Sequence, residues 1–301
     1  MLLVGDGWIE RQYGVGASVE VVDRLPVAGG YSSSLVERLE LLVRLPDGGR
    51  DTLTVLRKRA TDAEVAALHA LGEVTGATAL PELLATGTDA DGPWAMTPFY
   101  AGNTLRTEAD VSDEVIASLA RLHAHYVGVH VRGLPVIDRE LWRRVCRHVS
   151  MRLSGLLTDA QLRAPMALVD RVRDDPVLLR ALDWLPRTLV HGDMHANNVL
   201  VDGSGSKIID WGNARLGPAM LDLASISAPS RPSFDLYAEA WADATDEVLD
   251  RRTMYVGFLW ATVYVNTGYL GFAAQRMGLD VVTQMVERAG EALAGLAQVS
   301  R

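Results

Sequence analysis

The chain has 301 residues, 49% of them hydrophobic, with 38 acidic against 29 basic side chains and a formal charge of −9. That apolar share lets one or two domains close around a substantial core and excludes a disordered chain. The acidic balance removes any general electrostatic basis for binding nucleic acid or an anionic membrane, so a small or cationic partner suits it better. The lone Cys146 cannot form an internal disulfide, and the opening MLLVGDGWIERQYG has no basic segment followed by a long apolar one. The expected location is cytoplasmic.

Residues 18–59 alternate as strands: VEVVDRL, SLVERLELLVRL, a turn at residues 46–49, then DTLTVLRKR. From Asp62, DAEVAALHALGEV has helical spacing with Asp62 as the expected N-cap, and two strand-like runs, PELLATG and GPWAMTPF, follow. These define a first lobe over residues 1–98, a small sheet with one main helix. After a hinge at residues 98–102 the periodicity turns helical, clearest in VSDEVIASLARLHAHYVG, with two or three more helices between Asp138 and Leu185. A short strand interlude, TLV, NVLV and SKIID, lies between Thr188 and Asp210 and is broken by HGDMHAN and by a turn at residues 202–206. Helices then complete a second lobe over residues 99–301. Between Arg252 and Arg276 no residue is charged, and the run is about the length a bilayer span needs. It contains Thr262, Asn266, Thr267 and three glycines and lacks a flanking basic cluster, so a buried helix is expected there in place of a membrane span.

The residues able to do chemistry concentrate in LVHGDMHANNVLVDGSGSKIIDWGNARLGPAMLDLA. His191, Asp193 and Asn198 form the pattern HxDxxxxN, and Asp210 follows a short hairpin; this is the spacing of a kinase catalytic loop and its metal-binding aspartate. Phosphoryl transfer needs a carboxylate to receive the acceptor hydroxyl's proton and oxygen ligands to hold Mg²⁺ on the nucleotide phosphates. Asp193 fits the first need. Asn198 can add a metal oxygen without adding negative charge, Asp210 can bridge one or two Mg²⁺ ions, and the hairpin returns the two side by side.

Together with the upstream SLARLHA, the segments HGDMHANNVLVD and KIIDWGNARLGPAMLDLA resemble the aminoglycoside phosphotransferase family, which includes choline-kinase-like and other small-molecule kinases. The resemblance covers most of the chain. It implies an α+β, protein-kinase-like bilobal fold, with a nucleotide between a small antiparallel-sheet lobe and a larger, mostly helical lobe. It further implies that Asp193 is the catalytic base, that Asn198 and Asp210 bind Mg²⁺, that Asp222 of the buried DLA signature supports the loop, and that His191 is structural. The loop covering the phosphates falls at AGGYSSS, residues 28–34, where Gly29, Gly30, Ser32 and Ser33 are the candidate contacts although no GxGxxG is present. Arg57 and Lys58 end the third strand on opposite faces, so only one can reach the phosphates. Protein kinases use a lysine there, family phrasing of the type VLR favours Arg57, and both stay open. Glu64 is the expected acidic partner on the following helix. MetThrProPhe resembles the hinge that pairs with an adenine edge, through the backbone of Thr97 and Phe99. His195 stands where protein kinases carry a phosphate-contacting lysine and either touches the transferred phosphoryl or packs the loop.

His191, Asp193 and His195 could also read as hydrolase metal ligands, but no histidine or cysteine follows His195 to complete such a site. Asp235, Glu239, Asp243, Glu247 and Asp250 recur at nearly four-residue steps beside an apolar stripe of Leu236, Tyr237, Ala240, Trp241 and Val248. They form either a solvated face or a site for a cationic acceptor. Trp260, Tyr264 and Tyr269 either wall that acceptor pocket or belong to the core. Cys146 reads as a bystander thiol, and the basic cluster at residues 143–148 is too small for a nucleic-acid site. The expected function is transfer of the γ-phosphoryl of ATP, with GTP not excluded, to a hydroxyl of a small antibiotic or natural-product-like acceptor. A metabolite kinase of choline, homoserine or amino-sugar type and a non-catalytic nucleotide-binding relative are the alternatives.

Overall fold

The strand alternation of the first lobe closes as a five-stranded antiparallel sheet in a computed structural model that describes residues 7–27 and 35–299. A short helix α1 (Gly7–Tyr13) precedes β1 (Ser18–Pro26), β2 (Val36–Arg44), β3 (Arg50–Arg59), helix α2 (Asp62–Leu71), β4 (Ala85–Asp89) and β5 (Gly92–Pro98). The spatial order is β1-β2-β3-β5-β4, every neighbouring pair antiparallel. Leu39, Leu41 and Val43 alternate along β2 onto one face, where they join Val55, Met96 and the Trp8 and Ile9 side chains of α1 in a core of their own. Helix α1 has no counterpart in the sequence reading, because seven residues with two buried side chains carry too little periodicity to declare a helix. The cap of α2 also differs from expectation. Thr61, extended at φ −88° and ψ 161°, accepts the Glu64 N–H on its hydroxyl, and Asp62 becomes the first helical residue, where its charge suits the positive end of the helix dipole.

The second lobe runs β6 (Asn103–Thr104), α3 (Asp113–Tyr126), α4 (Arg139–Leu156), α5 (Asp159–Arg173), α6 (Pro176–Trp184), β7 (Arg187–Val190), β8 (Val199–Asp202), β9 (Gly205–Ile208), β10 (Arg215–Pro218), α7 (Met220–Ile226), α8 (Pro232–Thr245), α9 (Arg251–Gly268), α10 (Leu270–Arg276) and α11 (Leu279–Val299). Strands β6, β8 and β9 make one small antiparallel unit, and β10 pairs antiparallel with β7 in another. β10 is absent from the sequence reading: four residues ending in Gly-Pro offer no alternation to detect. Its pairing sets the residues just before it beside the residues just after β7. Helix α2 buries Ala67, Leu68 and Leu71 in the large core of this lobe, so the sheet lobe and the helical lobe share one element.

Two helical expectations need correction. The uncharged run divides at Tyr269 into α9 and α10, and no helix among the described residues is long and apolar enough to cross a membrane. The acidic series does not lie on one helix, since α8 ends at Thr245 with Asp246 in the left-handed region at φ 58°. Asp250 instead caps α9 by accepting the Thr253 N–H at 2.9 Å, and Val248 is 90% exposed, outside any apolar stripe. On α8 itself Phe234, Tyr237, Ala240 and Trp241 are buried, whereas Asp235, Glu239 and Asp243 are exposed.

Trp260 walls no pocket; it is 1% exposed and stacks on Tyr264, which in turn packs against Trp142. Replacing Trp260 by alanine should cost about 3–5 kcal/mol, the range for emptying a buried aromatic site. Urea denaturation should show this as a lowered midpoint with an unchanged slope, and a loss under about 1 kcal/mol would place the indole at a surface.

Candidate active site

The site begins where β7 ends, because the backbone of His191 and Gly192 leaves the strand ladder inside the core and needs other partners. The carboxylate of Asp222, on the first turn of α7 and wholly buried, supplies them. It accepts the His191 N–H at 2.7 Å and the Gly192 N–H at 2.8 Å. It also accepts His123 Nε2–H from α3 at 3.2 Å, and His123 Nδ1 then accepts the Tyr237 hydroxyl of α8 at 2.8 Å. Burial pushes the Asp222 pKa up, but the His123 bond, the nearby histidines and the backbone donors outweigh it and hold the group below the ordinary 3.8. Burial and the Asp222 charge together keep the Tyr237 phenol protonated far above its ordinary range. Gly192 turns the chain at φ +79°, and any Cβ there would collide with the Asn213 carbonyl.

His191 ties this loop to the end of β9. Its Nε2–H donates to the Ile209 carbonyl at 2.8 Å, its Nδ1 accepts the Asp193 N–H at 3.2 Å, and its ring meets Trp211 edge-on at 4.7 Å. Asn198 donates its amide to the Asp193 carbonyl at 2.9 Å, and its own carbonyl accepts the Ile209 N–H at 2.9 Å. The hairpin therefore sets Asn198 beside the segment leading into Asp210, as its spacing requires. Asp210 itself is an exposed, non-glycine residue in the left-handed region at φ 63°, opening a 3₁₀ turn at Trp211–Asn213. Such a conformation costs energy unless the surroundings impose it, and it concentrates at functional sites.

The two candidates on β3 take opposite faces, as the alternation requires. Lys58 Nζ donates to Glu64 Oε1 at 3.0 Å and to Asp210 Oδ1 at 2.6 Å, joining both lobes. Arg57 points through the other face, to Glu37 at 3.3 Å and Asp89 at 2.6 Å, with its guanidinium 4.9 Å above the Trp94 ring. Burial drives the Lys58 pKa down, yet the charges of Glu64 and Asp210 raise it more. Burial raises that of Glu64 against the opposing pull of Lys58, while at Asp210 the Lys58 charge overcomes burial and lowers it.

Asp193 is half-buried and held at both oxygens. Asn213 Nδ2 donates to Oδ2 at 3.1 Å, and the Tyr269 hydroxyl donates to Oδ1 at 2.6 Å. Arg215 braces Asn213, giving Nε–H to its carbonyl at 2.7 Å and Nη2–H to its Oδ1 at 3.2 Å, and reaches the Tyr264 hydroxyl at 3.3 Å. Neither Asn213 nor Arg215 was singled out from sequence; their one signal was their place three and five residues after Asp210.

Other expected residues fall differently. His195 is half-buried at the start of the 3₁₀ turn Ala196–Asn198. The Phe99 N–H cannot serve an adenine edge, because the β3–β5 pairing extends to it and it donates to the Thr54 carbonyl at 3.0 Å. Thr97 sits in β5 opposite Leu56. Gly29, Gly30, Ser32 and Ser33 lie outside the described residues. Asp235, Glu239 and Asp243 do not join Asp193: the face of α8 linked to the Asp193 loop, through His123 and Asp222, is the one bearing Tyr237, and the acidic side chains are exposed, Asp235 paired with Arg251. Trp260 and Tyr264 belong to the core, and only Tyr269 reaches the loop. No cluster of three or more His, Cys, Asp or Glu able to hold a metal occurs among the described residues. One carboxylate, Asp210, and one amide, Asn198, are hard oxygen donors, and they suit Mg²⁺, which takes one or two protein ligands and completes its shell with phosphate and water.

A small antiparallel sheet above a helical lobe, a strand lysine paired with a helix glutamate, and two aspartates set by a loop and a hairpin define a protein-kinase-like fold. The chain belongs to the APH phosphotransferase enzyme family, whose model matches residues 23–255. It is 29% identical over 158 residues to viomycin phosphotransferase of Streptomyces vinaceus, covering 48% of this chain and 52% of that protein. It is 26% identical over 201 residues to thiamine kinase of Salmonella heidelberg, covering 64% of this chain and 65% of that one. The chain thus spans between half and two thirds of the length of these curated relatives. The GDP complex of aminoglycoside 2'-phosphotransferase-IIIa shares the fold with a TM-score of 0.51 at 15% identity, over 96% of this chain and 97% of that one.

Replacing Asp222 by asparagine should destabilise the protein by about 3 kcal/mol or more at neutral pH, since two buried N–H groups lose their charged acceptor. Because the folded pKa lies below 3.8, the wild-type advantage is complete above that value and is lost as pH falls through the folded pKa. Urea midpoints measured from neutral pH down into the acid range should show the gap between wild type and variant narrowing. A constant gap would mean that the charge of Asp222 does not contribute.

Proposed function

We propose that this protein transfers the γ-phosphoryl of ATP, or of GTP, to a hydroxyl of an antibiotic or natural-product-like small molecule. The observation that carries this reading is the disposition of Asp193, half-buried and gripped by two neutral donors, with the Lys58, Glu64 and Asp210 cluster held across the lobes. Asp193 would accept the acceptor's O–H, orient its oxygen in line with phosphorus, and take the proton as the new O–P bond forms and the bond to the β-phosphate breaks. Lys58 would place its fixed charge on the phosphates, with Glu64 keeping the ammonium in position. Asn198 and Asp210 would hold Mg²⁺, which when bound neutralises charge on the triphosphate oxygens. His195 and residues 28–34 are further candidates for phosphate contact, and the Thr97 backbone for the base.

Both ATP and GTP belong in the assay, since a solved relative of the same fold carries GDP. Similarity to thiamine kinase supports a second reading, a metabolite kinase. A non-catalytic binding role is disfavoured because such a module has no use for Asp193, Asn198 and Asp210 together. The acidic face of α8, turned to solvent, gives no support for a cationic acceptor. Nucleotide consumption over a panel of peptide and aminoglycoside antibiotics, thiamine, choline, homoserine and amino sugars, with mass spectrometry for a phosphate adduct, tests the proposal. Consumption without any adduct would overturn it.

Asp193→Asn should lower kcat by about 10²-fold or more while nucleotide affinity stays nearly unchanged, because the carboxylate acts on the acceptor and not on the triphosphate. Near-normal turnover in the folded variant would remove it as the base.

Lys58→Ala should raise the nucleotide KM by about tenfold or more, whereas Arg57→Ala should leave it within about twofold and lower the denaturation midpoint by leaving Glu37 with Arg24 as its one arginine partner. The reverse pattern in steady-state kinetics would put the phosphates on the other face of β3.

A further inference from the structure

Both grips on the Asp193 carboxylate come from outside its own loop. Tyr269 stands at the bend between α9 and α10, 76 residues from Asp193, and Asn213 lies in the 3₁₀ turn before β10. The phenol bond, 2.6 Å to Oδ1, is short and charge-assisted, the stronger kind; the amide bond to Oδ2, at 3.1 Å, is weaker. Tyr269 can act only as a donor there, since burial first and the Asp193 charge second hold its phenol protonated well above its ordinary range. The orientation of the Asn213 amide is also determined. Arg215 Nη2–H occupies its Oδ1, which leaves Nδ2 to face Asp193, and the same guanidinium reaches Tyr264 in the aromatic stack with Trp142 and Trp260. A carboxylate without such partners rotates about its broad terminal torsion and exchanges its oxygens. Two donors from separate elements stop that rotation.

We propose that Tyr269 and Asn213 are positioning residues which fix the Asp193 carboxylate for the reaction, and that Oδ2 is the oxygen that receives the acceptor's proton. The inference rests on the reading of Asp193 as the base. Each oxygen keeps a second lone pair, but the short phenol bond draws more charge from Oδ1, which leaves Oδ2, sharing only the longer amide bond, as the stronger proton acceptor. The acceptor's O–H bond breaks as its proton bonds to Oδ2, and the oxygen's electron pair forms the bond to phosphorus as the nucleoside diphosphate departs. Because Tyr269 belongs to the helices that complete the second lobe, those helices orient the base as well as bordering it.

A double-mutant cycle on the full chain, Tyr269→Phe against Asp193→Ala, tests the contact without any need for an acceptor. The unfolding equilibrium constants should be non-additive by about tenfold or more, as for a hydrogen bond to a charged group. Kinetics on the acceptor that the wild type modifies test the positioning. Tyr269→Phe and Asn213→Ala should each lower kcat by about tenfold or more, with the nucleotide KM within about twofold and the fold intact by circular dichroism. An additive cycle overturns the inference, as does full kcat in both variants. Failure of the underlying reading looks different: no transfer to any acceptor, with Asp193→Asn consuming nucleotide as the wild type does, overturns the base assignment whatever the cycle shows.

Discussion

One buried carboxylate, Asp222, organises the functional half of this protein. Charge in a core is tolerated only where donors surround it, and Asp222 has two backbone N–H groups and an imidazole. Those same bonds solve the problem of the chain leaving β7, whose next two N–H groups lose their ladder partners. The solution leaves Gly192 at positive φ, so the position of the Asp193 carboxylate follows from the satisfaction of its neighbours. Through His123 and Tyr237 the anchor extends to α3 and α8, which binds the loop to two helices that carry none of its chemistry.

The charge linking the lobes is arranged on a second principle. Lys58 lies between one carboxylate from the sheet lobe's helix and one from the helical lobe, and the two pairs offset part of the cost of burying the ammonium and Glu64. Helix α2 reinforces the link, since its apolar face belongs to the large core while Glu64 faces β3. Asp210, exposed and held in a left-handed conformation, has its carboxylate on Lys58 yet open to other cations.

The helices after Asp222 are where the sequence leaves two readings open, a solvated or core face and an acceptor site. Their periodicity reports that one side is apolar and the other polar, and it does so truthfully: Tyr237 and Trp241 are inside and Glu239 outside. Periodicity carries no information on where the site lies relative to that axis. For α8 the link to the Asp193 loop, through His123 and Asp222, leaves from the buried face, opposite the exposed acidic residues. Trp260 and Tyr264 likewise face the core, and they act at the site only as the backing of Arg215.

What the sequence by itself determined is the strongly periodic or closely spaced part: the alternation of β1 to β3, the run of α2 and α3, and the spacing that brings Asn198 and Asp210 together across a tight hairpin. It also established that Arg57 and Lys58 oppose one another, because a strand's side chains alternate whatever surrounds it. Tertiary structure alone decided which of the two faces inward, since that depends on Glu64 and Asp210 converging from different lobes. It also decided what holds Asp193. Asn213 arrives through the pairing of a four-residue strand too short to carry a pattern, and Tyr269 through a helix bend 76 residues away. Such contacts are set by how whole elements pack, and a local period, being the same for every helix of the same polarity, cannot encode them.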